Sequence, residues 1–600
     1  MPAIRIPRPL IAACVLLTLL AGPGTAFGTG QPNILVLMAE DMSDHVGAFG
    51  DPLARTPHLD ALAATGVRFP NTFTTAGVCA PSRAAFITGV HQISLGAQHM
   101  RTSTSPVATY LAVPPPEVKA FPELLRRAGY YTFTDRKLDY QFSGIGAGTG
   151  PESIWDSEGE LDPLSTLPDD RPFFGLINFF ITHESATFTP EAVAGTPGET
   201  MARRASAARS KIPDRTDPNA VSVPPYYPDT KAVRAHIAVV YDNIRLMDAE
   251  VGRILKRLDE LGRAEDTIVI WTTDHGDPLP RAKRELFDSG IRVPLIIRWP
   301  QSLQPAGLEP GSLDERLVSF VDLAPIILGM AGAPAPDFLQ GADLLAEAVP
   351  PRRYVYASRD RMDEQTDRVR AVRDARYKYL RYFDPGTPGA VHLAYRDQGR
   401  IMQALWRGHD AGTLSAEQRL WFEPRPEEAL YDLASDPYEL VNLAADPTRL
   451  ETLTRMRSAY AAWRIRVPDL GEVAESELAA RFWPEGVQPV TPVPVFSRLA
   501  DGRLEVTAAD NASIEVRMGD GAWRLYTTPL EPGNEPVTAR AVRYGYALSA
   551  EVSLPEVSPP EASAPEVPEQ APEAAEAVRP EPAAEEALPA ATEPESSTEL

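Results

Sequence analysis

An α/β protein is predicted, with a doubly wound mixed sheet between helices, and three features of the chain predict it. Residues 33–39 (NILVLMA), 173–182 (FFGLINFFIT) and 267–273 (TIVIWTT) are short, nearly continuous apolar runs, the pattern of strands buried on both faces. Between the last two, residues 233–261 carry apolar side chains at helical spacing, including Ile237, Val240, Ile244, Met247, Val251, Ile254 and Leu258, as an amphipathic helix does. Glu40-Asp41, His183 and Asp274-His275 follow directly on the ends of the three runs. Open α/β sheets bind ligands beyond the carboxyl ends of their strands, so these polar residues mark a site.

Each further element follows from local pattern. Pro57-His58-Leu59-Asp60-Ala61-Leu62-Ala63 is a helix candidate, with proline tolerated at a first turn. Two polar stretches, 141–170 and 186–222, are expected as long connections, and loops of that length inside such a domain are usually functional. The main α/β domain is expected over 31–345. Past residue 350 the pattern changes: 354–357, 369–372 and 377–382 suggest strands and 446–466 a helix, a smaller α+β subdomain over 350–470. Residues 488–552 form a β-rich appendage with turn signals at Asp501-Gly502, Gly519-Asp520-Gly521 and Pro532-Gly533. The tail, 553–600, is rich in Pro, Ala and Glu and lacks the apolar surface needed to fold.

Charge and cysteine usage narrow the setting. The chain of 600 residues carries a formal net charge of −24, but 551–600 hold 13 Glu against a single Arg. Half of the excess therefore sits in the tail, and nothing indicates a nucleic-acid groove. Arg5 and Arg8 precede an apolar run from Leu10 to Leu20, which ends in small residues at Gly22-Pro23-Gly24-Thr25-Ala26. That is the layout of a secretory signal over 1–26 and implies export, periplasmic or secreted. The run is about half the length a bilayer-spanning helix needs, and no stable membrane span is expected. Ile11-Ala12-Ala13-Cys14 offers lipidation as an alternative, but this cysteine lies inside the apolar core instead of after it. Of two cysteines, Cys14 leaves with the signal, so Cys79 is left as a lone thiol in an oxidising compartment with no internal partner.

The neighbours of Cys79 give it a chemistry. Cys79-Ala80-Pro81-Ser82-Arg83, followed by Thr88-Gly89, resembles the signature of the formylglycine-dependent sulfatases, members of the alkaline phosphatase superfamily. Further landmarks stand in order: Pro32-Asn33-Ile34-Leu35, Thr56-Pro57-His58-Leu59-Asp60, Asp274-His275-Gly276, Gly290-Ile291-Arg292-Val293-Pro294-Leu295, and residues 427–437 followed by Asn442-Leu443. The resemblance spans roughly residues 32–470. Asp274 to Pro280 with its Pro-x-Pro, and Tyr226-Tyr227-Pro228-Asp229-Thr230 before the long helix, resemble the heparan N-sulfatase (N-sulfoglucosamine sulfohydrolase) branch, whose substrates are sulfated amino sugars of glycosaminoglycans.

The resemblance implies that a separate maturase oxidises Cys79 to formylglycine. One hydroxyl of the hydrated aldehyde attacks sulfur, and the other lets the aldehyde re-form as sulfate leaves, which a serine could not do. It implies a divalent cation held by Glu40, Asp41, Asp274 and His275 together with the group at Cys79, with calcium first and magnesium, manganese or zinc as alternatives. Two positions depart from the pattern there: Glu40 stands where Asp is usual, and His275 where Asn is usual, which suits zinc or manganese better than calcium and leaves a sulfate donor as the alternative role of His275. Arg83, Lys137, His183 and Lys283 match the catalytic cations and the substrate histidine. Arg281 and Arg284 remain alternatives to Lys283. Asp139 replaces the histidine expected two residues after Lys137. His91, His99 and Arg101 follow the signature as candidate substrate contacts.

The function expected is metal-dependent hydrolysis of a sulfate ester or sulfamate on a sulfated sugar or glycosaminoglycan fragment. A phosphoester or phosphonate hydrolase of the same superfamily is the rival enzyme, and a non-catalytic glycan-binding protein the rival of another class. The appendage resembles small β-sandwich modules of glycan-processing enzymes.

Overall fold

The computed structural model describes residues 31–554 apart from Pro197, Pro532 and Asn534. The expected signal at 1–26, nearly all of the tail at 553–600 and part of the turn at Pro532-Gly533 lie outside the described residues.

Eight strands form the main sheet: β1 (Asn33–Ala39), β2 (Val67–Phe73), β3 (Tyr131–Thr134), β4 (Ser157–Glu158), β5 (Phe173–Phe179), β6 (Thr267–Thr273), β7 (Arg292–Arg298) and β8 (Val318–Ser319). Their order is β4-β3-β5-β1-β6-β7-β2-β8. The β1 strand is parallel to both β5 and β6, while β7 runs antiparallel to β6 and β2, so the sheet is mixed as expected. Alternate residues of β1 serve opposite faces. Leu35, Leu37 and Ala39 join one core with Val269, Trp271 and the helix α3 introduced below. Ile34, Val36 and Met38 join the other with Ile268, Ile270 and Phe86. A strand covered on both sides has no polar face, which explains the continuous apolar runs.

Helix α1 (Pro57–Thr65) and α2 (Cys79–Thr88) flank β2, and α3 (Lys231–Glu260) is the long amphipathic helix. Thr230 caps α3 by accepting from Val233 N–H. Midway along α3, buried Asp248 accepts from the backbone N–H of Leu59 at 2.8 Å and of His58 at 3.2 Å. The carboxylate thus satisfies orphan donors at the start of α1 and locks the two helices together.

Two expectations are corrected. The 173–182 run is a strand only to Phe179; Phe180–Thr182 turns as a 3-10 helix and delivers His183 just past the sheet. The 186–222 connection contains a helix, Glu199–Arg209. Its buried positions, Ala202, Ala205 and Arg209, are too small or too polar to register as an apolar stripe.

A second, antiparallel sheet has the order β12-β11-β10-β9, from β9 (Val355–Met362), β10 (Gln365–Arg373), β11 (Tyr377–Tyr382) and β12 (Glu428–Asp432). The helix Leu450–Arg466 packs on it through Leu453, Met456 and Trp463. Six short strands follow between Val495 and Leu554, in a two-stranded and a four-stranded sheet. This β-rich region is docked on the main domain. The Tyr544 ring stacks on Phe142 at 5.0 Å between centroids, and its hydroxyl donates to buried Glu123 at 2.7 Å. Among the described residues no helix is long and apolar enough to cross a membrane.

Candidate active site

Sheet order creates the site. Ala39 pairs with Phe179 on one side and with Thr273 on the other, so three parallel strands end at one level. Glu40-Asp41 therefore emerge between the ends of β5 and β6. Asp41 adopts a left-handed backbone, φ 46°, a conformation that aspartate tolerates better than most residues. Its N–H donates to Asp274 Oδ1 at 3.1 Å, which fixes the two acids against each other.

Cys79 opens α2, and every residue of that helix is buried. Its Sγ lies 3.7 Å from Asp41 Oδ1, 3.4 Å from His275 Nε2 and 3.7 Å from Lys283 Nζ. Ser82 Oγ donates to Asp274 O at 2.6 Å and anchors the helix to the end of β6. Gly77 is required by a close approach: a Cβ there would lie 2.2 Å from Glu285 O, so only glycine lets the segment bearing Lys283 pack against the turn before Cys79. One helical turn beyond Cys79, Arg83 reaches all three strand ends. Its Nε donates to Asp274 Oδ2 at 3.0 Å, its Nη1 to Asn178 Oδ1 at 2.6 Å, and its Nη2 lies 3.6 Å from Glu40 Oε1.

The other cations converge from distant segments. Lys137 Nζ stands 2.8 Å from Glu40 Oε2. Lys283 pairs with Asp41 Oδ2, which also accepts from Glu184 N–H at 2.8 Å. Of the three basic residues at 281–284, Lys283 is the one that meets Cys79. Arg281 donates to the carbonyls of Tyr438 and Glu439, and Arg284 pairs with Glu184 and Asp363. His183 Nδ1 faces Ser185 N–H at 3.3 Å and Ser185 Oγ at 2.8 Å. Accepting from the backbone leaves the ring proton on Nε2, which faces Glu40 Oε2 at 3.9 Å.

The electrostatics follow from burial set against these partners. Burial opposes ionisation of Asp41, but Lys283 and the histidines outweigh it and hold the carboxyl well below its usual range. Asp274 is likewise lowered against burial, by His275 and Arg83. At Glu40 burial prevails over Lys137, His183 and Arg83, and its pKa is raised. Burial also disfavours the Cys79 thiolate, yet Lys137 and Lys283 bring the thiol below its ordinary value. His275, buried but faced by Asp274 and Asp41, is raised to about 10. His183, buried and beside Lys283, is lowered to about 4 and is neutral near pH 7.

The cluster has the donor set for a cation. One ligand atom each from Asp41, Cys79, Asp274 and His275 falls within 4.8 Å of the others, as does one each from Glu40, Asp41, Cys79 and His183. Both Glu40 oxygens are buried and, though Lys137 and Arg83 lie near them, complete no hydrogen bond, which leaves lone pairs for a cation. His275 Nδ1 lies 3.0 Å from Gly276 O. That contact keeps a proton on Nδ1, and a bound cation would replace the proton that Nε2 turns toward the acids, the usual arrangement of a ligating histidine.

Some candidates lie elsewhere, and some functional neighbours escaped notice in the sequence. His91 is buried against Trp463, and His99 Nδ1 accepts from Arg361 N–H at 3.2 Å; neither faces solvent. Asn178 and Glu184, which hold Arg83, Asp41 and Arg284, carried no motif. Their one signal was position, within or just past the β5 run.

A mixed sheet whose strand ends gather acids and cations around a cysteine at a helix start has the layout of an α/β enzyme. The family model described as Sulfatase matches residues 32–333, and that described as N-sulphoglucosamine sulphohydrolase, C-terminal, matches residues 281–394. The chain is 37% identical over 555 residues to an ulvan-active sulfatase of Formosa agariphila, covering 87% of this chain and 91% of the relative. It is 28% identical over 502 residues to the N-sulphoglucosamine sulphohydrolase of Homo sapiens, covering 77% and 94%. Two solved structures share the fold. A 2-O GAG sulfatase aligns with TM-score 0.51 at 20% identity, over 75% of this chain and 94% of that one. A protein from work on glycosaminoglycan metabolism by Bacteroides thetaiotaomicron aligns with TM-score 0.52 at 16% identity, over 75% and 99%. The chain belongs to the sulfatase family, and it is a sulfuric ester hydrolase.

Proposed function

We propose that the exported protein removes sulfate, as ester or sulfamate, from a sugar of a sulfated polysaccharide, with formylglycine made from Cys79 as its nucleophile. The observation that carries this is Cys79 Sγ, buried at the start of α2 between Lys283, His275 and Asp41. Sγ stands in for the oxygens that the hydrated aldehyde would carry. The relatives named as acting on ulvan and on N-sulphoglucosamine support a carbohydrate substrate.

The roles follow from geometry. Glu40, Asp41, Asp274 and His275 would hold a divalent cation, which would supply polarisation of a sulfate oxygen and favour ionisation at the nucleophile. Three carboxylates suit calcium or magnesium, and the imidazole nitrogen favours manganese or zinc. Lys137 and Lys283 face the nucleophile from separate segments and offer fixed positive charge to the sulfate oxygens as negative charge grows on them. His183, neutral and protonated on Nε2, is placed to give a proton to the leaving oxygen or nitrogen. Arg83 holds Glu40, Asp274 and Asn178, from the three strand ends, in one arrangement.

The test uses protein made together with a maturase. Mass spectrometry of the peptide carrying Cys79 reads conversion of thiol to aldehyde, and hydrolysis is compared on matched sulfated and phosphorylated sugars. Conversion with preferred release of sulfate is expected. Preferred release of phosphate would overturn the reading in favour of the phosphoester hydrolase, and full turnover by unconverted protein would overturn the nucleophile.

A further inference from the structure

Asp139 stands where the resemblance places a histidine, and the structure gives it different work. It is buried, and both of its oxygens are taken by one partner: Arg101 Nε donates to Oδ1 and Nη2 to Oδ2, each at 2.8 Å. Lys137 Nζ lies 3.8 Å from the same carboxylate. Asp139 thus separates two cations that would otherwise repel, and it fixes the plane of the Arg101 guanidinium.

The segment that carries Arg101 packs beside the nucleophile. Met100, the residue before Arg101, packs with Val78 and Ala80, which flank Cys79, and with Met362. The segment is held from below by Arg361, which donates to Met100 O at 2.7 Å and to Arg101 O at 2.9 Å. Arg101 lines a cavity of about 210 Å³ together with Thr104, Pro106, Asp363 and Glu364. Its side chain is 21% exposed, and Nη1 has no hydrogen-bond partner among the described residues. The other charges of the cavity are differently placed. Arg361 gives its donors to backbone carbonyls and Glu475, Asp363 accepts from Arg284 Nε at 2.6 Å, and Glu364 is exposed at the rim.

We propose that Arg101 forms a subsite for a second anionic group, a carboxylate or a second sulfate, on the sugar that carries the scissile sulfate. Asp139 is then its positioning residue. The proposal rests on the sulfatase reading above. A guanidinium presents planar, paired N–H donors to such oxygens. One already clamped along its far edge loses little rotamer freedom when it binds.

The test takes the converted enzyme and one sugar in three forms: singly sulfated and otherwise neutral, singly sulfated with a carboxylate, and doubly sulfated. The wild type is expected to favour one charged form over the neutral form by about tenfold or more in kcat/KM, mainly through KM. Whichever charged form is favoured identifies the group. Arg101→Gln should bring that ratio close to one, and Asp139→Asn should lower it mainly through KM, with thermal melting showing that both variants fold. Arg101→Lys, which keeps the charge but lacks the fork, should restore only part of the ratio. A wild type without preference, or an Arg101→Gln variant that loses activity on all three forms alike, would overturn the subsite. Failure of the converted wild type on all three sugars would overturn the sulfatase reading beneath it.

Discussion

Lys378 and Lys137 are both buried ammonium groups, one in the antiparallel sheet and one at the strand ends of the main sheet, and their surroundings differ. Lys378 donates to Leu286 O at 3.0 Å and stands 2.6 Å from Asp288 and 2.8 Å from Glu439, so one carbonyl and two carboxylates surround it closely. Arg370 nearby is closed in the same way, by Asp469, Asp360 and the carbonyls of Arg359 and Val369. Lys137 has Glu40 at 2.8 Å, Asp139 at 3.8 Å and the Phe180 ring at 5.8 Å. Its close partner, Glu40, completes no hydrogen bond with either oxygen. Closure is not total in the second sheet, where Glu439 Oε1, Asp360 Oδ2 and Arg359 Nε and Nη2 complete no hydrogen bond. The contrast still separates two uses of buried charge. A closed shell joins elements of the fold, whereas an open one leaves charge available to a ligand.

The largest effect expected tests the centre of the open cluster. Cys79→Ala should lower kcat on the order of 10⁴-fold or more with an unchanged melting profile, and retained turnover would remove the nucleophile. Next, Lys378→Met removes the buried ammonium from Glu439 and leaves Asp288 with Arg373 alone, at 3.2 Å. It should cost about 3–5 kcal/mol of stability in denaturant titration, while the folded fraction keeps its specific activity. Lys137→Met should do the reverse: with divalent cation present, kcat falls about 10²–10³-fold and stability changes little. If these two variants exchanged phenotypes, the distinction between closed and open clusters would fail. Divalent cation at about a hundred times its Kd should raise unfolding free energy by about 2.7 kcal/mol, measured by melting with and without chelator. Glu40→Gln should lose most of that difference.

The smallest effect concerns His45, which bridges Asp51 at 3.0 Å and Asp277 at 3.2 Å. Burial opposes its protonation, but Asp277 and Asp51 raise its pKa well above the usual 6.5. A raised folded value means that the stabilisation is fully present below about pH 6.5 and is lost as pH rises through the folded value. Compared with His45→Asn, the wild type should gain roughly 1 kcal/mol at pH 6 and less with each step toward alkaline pH. A stability difference independent of pH would show that the bridge acts through hydrogen bonding alone.

Much of the fold was legible because its signals are local. Continuous apolar runs marked β1, β5 and β6, and helical spacing marked α3 to within a few residues. The helix Glu199–Arg209 was hidden because it buries Ala202, Ala205 and Arg209 in place of a stripe of large apolar residues. The candidate site was legible wherever its residues sit at strand ends or in the Cys79 motif. Asn178 and Glu184 were missed because each acts through a partner distant in the chain, Arg83 in one case and Arg284 in the other.

The sequence by itself determined which residues are candidates for the chemistry. Glu40, Asp41, Asp274 and His275 terminate apolar runs, and Cys79 stands in a motif as the one thiol left once the expected signal departs. Strand periodicity and chain continuity are short-range properties, so they can be read without the fold. Tertiary structure decided which of these residues meet. The order β5-β1-β6 brought the acids to one level, and the close approach at Gly77 selected Lys283 over Arg281 and Arg284. The pairing of Asp139 with Arg101 turned an apparent departure from the pattern into a clamp. Those outcomes depend on how buried charges find counter-charges across long stretches of chain, and desolvation makes that choice only once the fold has closed around them.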